Sequence, residues 1–175
     1  MGIFREYAQP SKNTFDVIPI GKLVEKYLDN SRVSIDPFAR DKRWTTYTND
    51  LNPDTDAEYH MDALDFLNML HKGGIKADLV LFDPPYSLRQ MKECYESIGL
   101  KLTQRETQYF YGDMRTAINN VLSPNGIVIS FGWNSIGMGK NRGYEIIEIL
   151  MVCHGRAHND TICVVDQKPA QLELI

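Results

Sequence analysis

Apolar residues recur along this chain in two rhythms. Within 18–30, Leu23, Val24, Tyr27 and Leu28 repeat at the three- and four-residue spacing of a single helix face. A second helix is predicted from Ala63 to the stop signal Gly73-Gly74. Two more are predicted at 91–100 and 105–122, the last ending at the turn Ser123-Pro124-Asn125-Gly126. Short apolar or β-branched runs separate them at 33–35, 45–52, 59–61, 79–82 and 126–134. Two longer runs, 144–155 and 159–168, close the chain around the polar turn HGRAHND. The first fifteen or so residues show neither rhythm and are predicted to be irregular.

Strands alternating with helices predict right-handed βαβ units and a mostly parallel sheet. The closing pair, joined by a short turn, must be antiparallel. The expected architecture is therefore α/β: a three-layer sandwich around a seven-stranded sheet, with one domain spanning 1–175. Ligands in such sheets collect beyond the carboxyl ends of the strands. Those ends carry Asp36, Asp50, Asp62, Asp83 and the corner Gly132-Trp133-Asn134.

Composition narrows the function. A length of 175 residues suits one domain with a proper core. A formal net charge of −4 argues against a protein that coats nucleic acid, while leaving local basic patches open. The three cysteines, Cys94, Cys153 and Cys163, form no CxxC pair, so neither a disulfide framework nor a metal site is expected. His154 and His158 flank a turn, as solvent-facing or hydrogen-bonded residues rather than ligands. No signal peptide or membrane-length apolar run is evident, and Glu6 breaks the myristoylation pattern. A cytoplasmic protein without membrane contact is expected.

The strongest motif is Asp83-Pro84-Pro85-Tyr86, directly after a buried-strand signal. Two prolines cannot continue a ladder, so the strand must end in an acid, a rigid turn and a ring. This motif resembles the Asp-Pro-Pro-Tyr tetrad of amino methyltransferases that use S-adenosylmethionine, particularly DNA adenine-N6 methyltransferases. The chemistry suits these residue types. An exocyclic base amine is a poor nucleophile because its lone pair is delocalised into the ring. Accepting hydrogen bonds from both N–H groups, at the Asp83 carboxylate and the Pro84 carbonyl, frees that lone pair. Pro85 stiffens the turn, and Tyr86 can stack on the base.

The same resemblance assigns the remaining motifs. Asp36-Pro37-Phe38-Ala39 matches the first cofactor motif, but continues into Arg40-Asp41-Lys42-Arg43 where the family has glycines. Either Arg40 or Lys42 can reach the cofactor's methionine carboxylate. Asn49-Asp50-Leu51 matches the second, with Asp50 on the ribose hydroxyls and Leu51 against adenine. Asp62-Ala63 matches the third, where an Asp accepts the adenine amine; Asp62 can also cap the following helix. Trp133 and Asn134 fall where the family walls the base pocket. The segment 15–20 loosely matches a motif that folds over the cofactor tail.

The resemblance covers 15–168 and implies a Rossmann-like methyltransferase fold with S-adenosyl-L-methionine as cofactor. It implies methyl transfer to the N6 amine of adenine in DNA, with no inserted target-recognition domain. Specificity would then come from a homodimer or a separate partner protein, with 40–43 and 140–142 as the phosphate contacts. Two other readings stay open: an RNA base methyltransferase, and a non-catalytic partner subunit with this fold.

Overall fold

The computed structural model describes residues 1–155 and 158–170, and the side chains of all of these except 104–106 and 140. Seven strands form one sheet: β1 (Gly2–Tyr7), β2 (Ser34–Asp36), β3 (Tyr47–Thr48), β4 (Ala77–Phe82), β5 (Leu122–Gly132), β6 (Glu145–Cys153) and β7 (Thr161–Gln167). Their order is β1-β6-β7-β5-β4-β2-β3. Only β7 runs against its neighbours, β5 and β6; the other pairings are parallel.

Alternation along β4 sets the layers, because successive side chains of a strand point to opposite faces. Leu79 and Leu81 pack with Ile20, Leu23 and Val24 of α1 (Ile18–Leu28). Val80 and Phe82 face Phe66 and Leu67 of α2 (Ala63–Lys72) and Met114 and Ile118 of α4 (Gln104–Val121). A shorter helix, α3 (Leu88–Ser97), follows the tetrad.

Two expectations change. The N-terminal segment is only partly irregular: over Gly2–Tyr7, β1 adds a parallel edge strand beside β6, although nearly all of its residues are exposed. The run at 59–61 is no strand; it contributes one bridge, Asn49 to Tyr59. The sheet therefore keeps seven members, one of them different from the set expected. The turn at 123–126 is present as an irregularity inside β5, with Asn125 at a φ of 61°.

Asp166 on β7 is buried and accepts the Met138 N–H at 3.0 Å. Burial raises its pKa to about 6, against the opposing pull of Met138 N–H and the Arg115 charge. A carboxyl that binds its proton more tightly when folded contributes stability at low pH, lost as pH rises from about 4 to about 6. Asp166→Asn should remove that dependence, on the order of 2–3 kcal/mol between pH 4 and pH 7. Urea unfolding of both proteins at the two pH values checks this; identical pH profiles would contradict it.

Candidate active site

The carboxyl ends of β2, β3 and β4 open into a cavity of about 750 Å³. Pro37, Phe38, Arg40, Asp50, Leu51, Ala63, Trp133 and the whole tetrad, Asp83 to Tyr86, line it. The sequence scatters these residues over almost a hundred positions; the parallel sheet brings them to one edge.

The tetrad is held rigidly. Asp83 Oδ1 accepts the Tyr86 hydroxyl at 2.7 Å. The Tyr86 N–H donates to Gln90 Oε1 at 2.8 Å, and the Tyr111 hydroxyl donates to the Pro85 carbonyl at 2.5 Å. Trp133 meets Tyr86 edge-on, with ring centroids 5.7 Å apart. Burial raises the Asp83 pKa, against Thr14 and Tyr86 hydrogen bonds and the Arg40 charge, which favour the carboxylate. Burial, then the Asp83 charge, likewise pushes the Tyr86 hydroxyl well above its ordinary range.

The β2 and β3 loops interlock. The Asp50 carboxylate accepts the Arg40 N–H at 3.1 Å and the Asn52 N–H at 2.8 Å. Arg40 adopts a φ of 50°, the left-handed region where glycine is favoured, so the chain makes that turn without one. Its guanidinium donates to the Lys12 carbonyl at 2.7 Å, which places the cation on the cavity wall. Lys42 is drawn away instead: its ammonium pairs with Asp16 at 2.5 Å and lies over the Trp44 ring. Of the two cations left open above, Arg40 is the one at the cavity.

Five residues read as ligand contacts do not line the cavity. Asp36 is buried, accepting the Phe38 N–H at 3.0 Å, and burial holds its carboxyl well above the ordinary range. Ala39 is buried beside it. Asn49 is fully buried, and its amide donates to the Pro37 and Met61 carbonyls while its oxygen accepts the Met61 N–H. Asp62 caps α2 through the Leu64 N–H at 2.8 Å. Asn134 turns onto the Ile136 N–H. These positions shape the loops that present their neighbours. Asn49→Ala should cost about 2–3 kcal/mol, since it leaves buried backbone groups without partners. Denaturant unfolding measures this, and a loss under about 1 kcal/mol would contradict the stapling role.

The cavity also includes residues that the sequence did not mark. Lys12 and Thr14 come from the N-terminal segment, and Val17 and Ile20 also line the wall. Gln90, Cys94 and Tyr95 come from α3, and Phe110 from α4. His158 reaches it from the β6–β7 turn, whose positions 156 and 157 lie outside the described residues, and Thr161 from the start of β7. His154 bridges the Ala8 carbonyl and the Thr161 hydroxyl, both at 2.9 Å.

No protein-family model matches this chain, and no curated protein sequence does. Solved structures do. The N-methyltransferase NodS from Bradyrhizobium japonicum WM9, in complex with S-adenosyl-L-homocysteine, superposes with a TM-score of 0.57 at 14% identity, over 91% of this chain and 90% of that one. TrmN from Thermus thermophilus gives 0.56 at 14% identity, over 87% of this chain and 49% of its own. The fold is that of the Rossmann-like methyltransferases. An S-adenosylmethionine-dependent methyltransferase from Agrobacterium tumefaciens gives 0.51 at 10% identity, over 83% of this chain and 60% of its own. The chain spans about half the length of TrmN and of a methyltransferase-like solved structure, SMU.776, that it also resembles. Identities of 10–14% carry the likeness as far as the methyltransferase fold and no further.

No helix among the described residues is long and apolar enough to cross a membrane, and no group of metal-binding side chains is found among them.

Proposed function

We propose that this chain transfers a methyl group from S-adenosylmethionine to the exocyclic N6 amine of adenine in DNA. The observation that carries the reading is one cavity bounded by two kinds of wall. One is the Asp83-Pro84-Pro85-Tyr86 tetrad with Trp133; the other is Phe38, Arg40, Asp50 and Leu51.

The second wall fits the cofactor. A volume of about 750 Å³ lies in the range of small-molecule sites. Asp50 offers a carboxylate to paired ribose hydroxyls, Phe38 and Leu51 offer apolar surface to adenine, and Arg40 offers a guanidinium to a carboxylate. NodS, with its bound S-adenosylhomocysteine, is an N-methyltransferase of the same fold and nearly the same extent. When bound, S-adenosylmethionine supplies a methyl group already activated by its sulfonium.

The protein's work is then positioning and electrostatic preorganisation. Asp83 accepts a hydrogen bond from one amine N–H and the Pro84 carbonyl from the other, which localises the nitrogen lone pair; the methylated nitrogen then releases one proton to water. Tyr111 holds the next peptide, Pro85–Tyr86, through the Pro85 carbonyl and keeps the turn from relaxing. Tyr86 gives up its hydrogen bond to Asp83 and turns its ring to the base, with Trp133 at its edge. An adenine in duplex DNA must be flipped into the pocket, at a cost of roughly a few kcal/mol that ring stacking partly offsets.

Thermal and chemical unfolding with S-adenosylhomocysteine tests the cofactor half. At a hundred times its dissociation constant, the ligand should add about 2.7 kcal/mol of stability. No stabilisation at millimolar ligand would contradict the reading.

A further inference from the structure

The helix after the tetrad is loosely attached. In α3 only Met91 is fully buried; Tyr95, one turn later, is half-buried, and the remaining residues are exposed. Gln90 ties its first turn to the tetrad by accepting the Tyr86 N–H. Gly99, at a φ of 78°, follows its last turn. Helices with so little buried surface open at low free-energy cost.

The far end of α3 is fastened to the start of α2. The Tyr95 hydroxyl donates to Asp62 Oδ2, while Asp62 Oδ1 is occupied by the Leu64 N–H at 2.8 Å and the Asp65 N–H at 3.4 Å. Ala63 and Tyr95 both line the cavity, yet Asp62 does not. A donor entering from the cavity meets that oxygen with the Tyr95 hydroxyl already on it.

We propose that α3 is a lid over the cofactor half of the cavity and that Tyr95 is its latch, a positioning residue that yields Asp62 Oδ2 to the adenine amine of the cofactor. The inference rests on the cofactor reading above. The latched tyrosine stands at the oxygen that the entering donor needs, so the latched population lowers the apparent affinity of the entering ligand. Releasing the latch exposes Asp62, frees α3, and leaves the cap on α2 in place.

Tyr95→Phe keeps the ring and removes only the competing hydroxyl. S-adenosylhomocysteine should bind this variant at least about fivefold more tightly than the parent by calorimetry. In ligand-free protein, backbone amides of α3 should exchange with deuterium at least about tenfold faster, while those of β4 and α2 keep their parent rates. Faster exchange with unchanged or weaker binding would make Tyr95 a purely structural residue and overturn the proposal. Unchanged exchange with unchanged binding would overturn it as well. Failure of both proteins to bind S-adenosylhomocysteine is a separate result: it would remove the cofactor reading and, with it, the latch.

Discussion

Asp83→Ala should lower methyl transfer by at least about a hundredfold while the protein remains folded. Removing one preorganised hydrogen-bonding partner from a transition state typically costs about 2.7–4 kcal/mol, which corresponds to that loss. The carboxylate stands at the end of β4, accepts the Tyr86 hydroxyl and faces the cavity. Its raised pKa has two consequences with opposite signs. Activity needs the carboxylate, so the rate should fall on acidification at a pH above the ordinary carboxylate range. Stability runs the other way: the contribution of a raised carboxyl is present at low pH and is lost as pH rises through its folded pKa. At neutral pH that contribution is absent, so the stability change in Asp83→Ala should come chiefly from the lost Tyr86 hydrogen bond. Initial rates and denaturant unfolding of the same preparations separate the two effects. A rate within tenfold of the parent would make the tetrad a structural turn.

Asp50→Ala should weaken S-adenosylhomocysteine binding by at least about tenfold, since hydrogen bonds to a charged acceptor contribute about 1.5–3 kcal/mol. Part of the loss comes through the loop, because the same carboxylate holds the Arg40 N–H and with it the left-handed turn that faces the cavity. Asp50→Asn separates the parts: its amide oxygen can still accept a backbone N–H but carries no charge for the ribose. Calorimetry should rank the parent first, then Asn, then Ala. Equal affinity for all three would return Asp50 to the role of a turn residue.

Much of this molecule is legible in its sequence, for identifiable reasons. β4 is an apolar run stopped by two prolines, and α2 is framed by Asp62 and a glycine pair, so local chemistry alone marks their ends. β1 escapes because Ile3 and Phe4 are adjacent, on opposite faces, and both exposed. An edge strand held by backbone bonds to β6 has no buried face to impose alternation. The tetrad is readable because proline and acid restrict what the backbone can do. Asn49 and Asp50 are adjacent acceptors in the sequence, and only the fold turns one into the core and the other to the cavity. Arg40 shows a related limit: the turn is made in the absence of glycine because Asp50 and the Lys12 carbonyl hold it. Tyr95 and Thr14 lie in other parts of the chain, and nothing local announces that they meet the acids of the site.

The most direct test of the proposed reaction uses methyl-labelled S-adenosylmethionine with separate pools of DNA and RNA, followed by digestion to nucleosides and mass spectrometry. Labelled N6-methyladenine should appear in DNA with the parent protein and be lost with Asp83→Ala. Label found in RNA nucleosides alone, or in no nucleoside although S-adenosylhomocysteine binds, would contradict it.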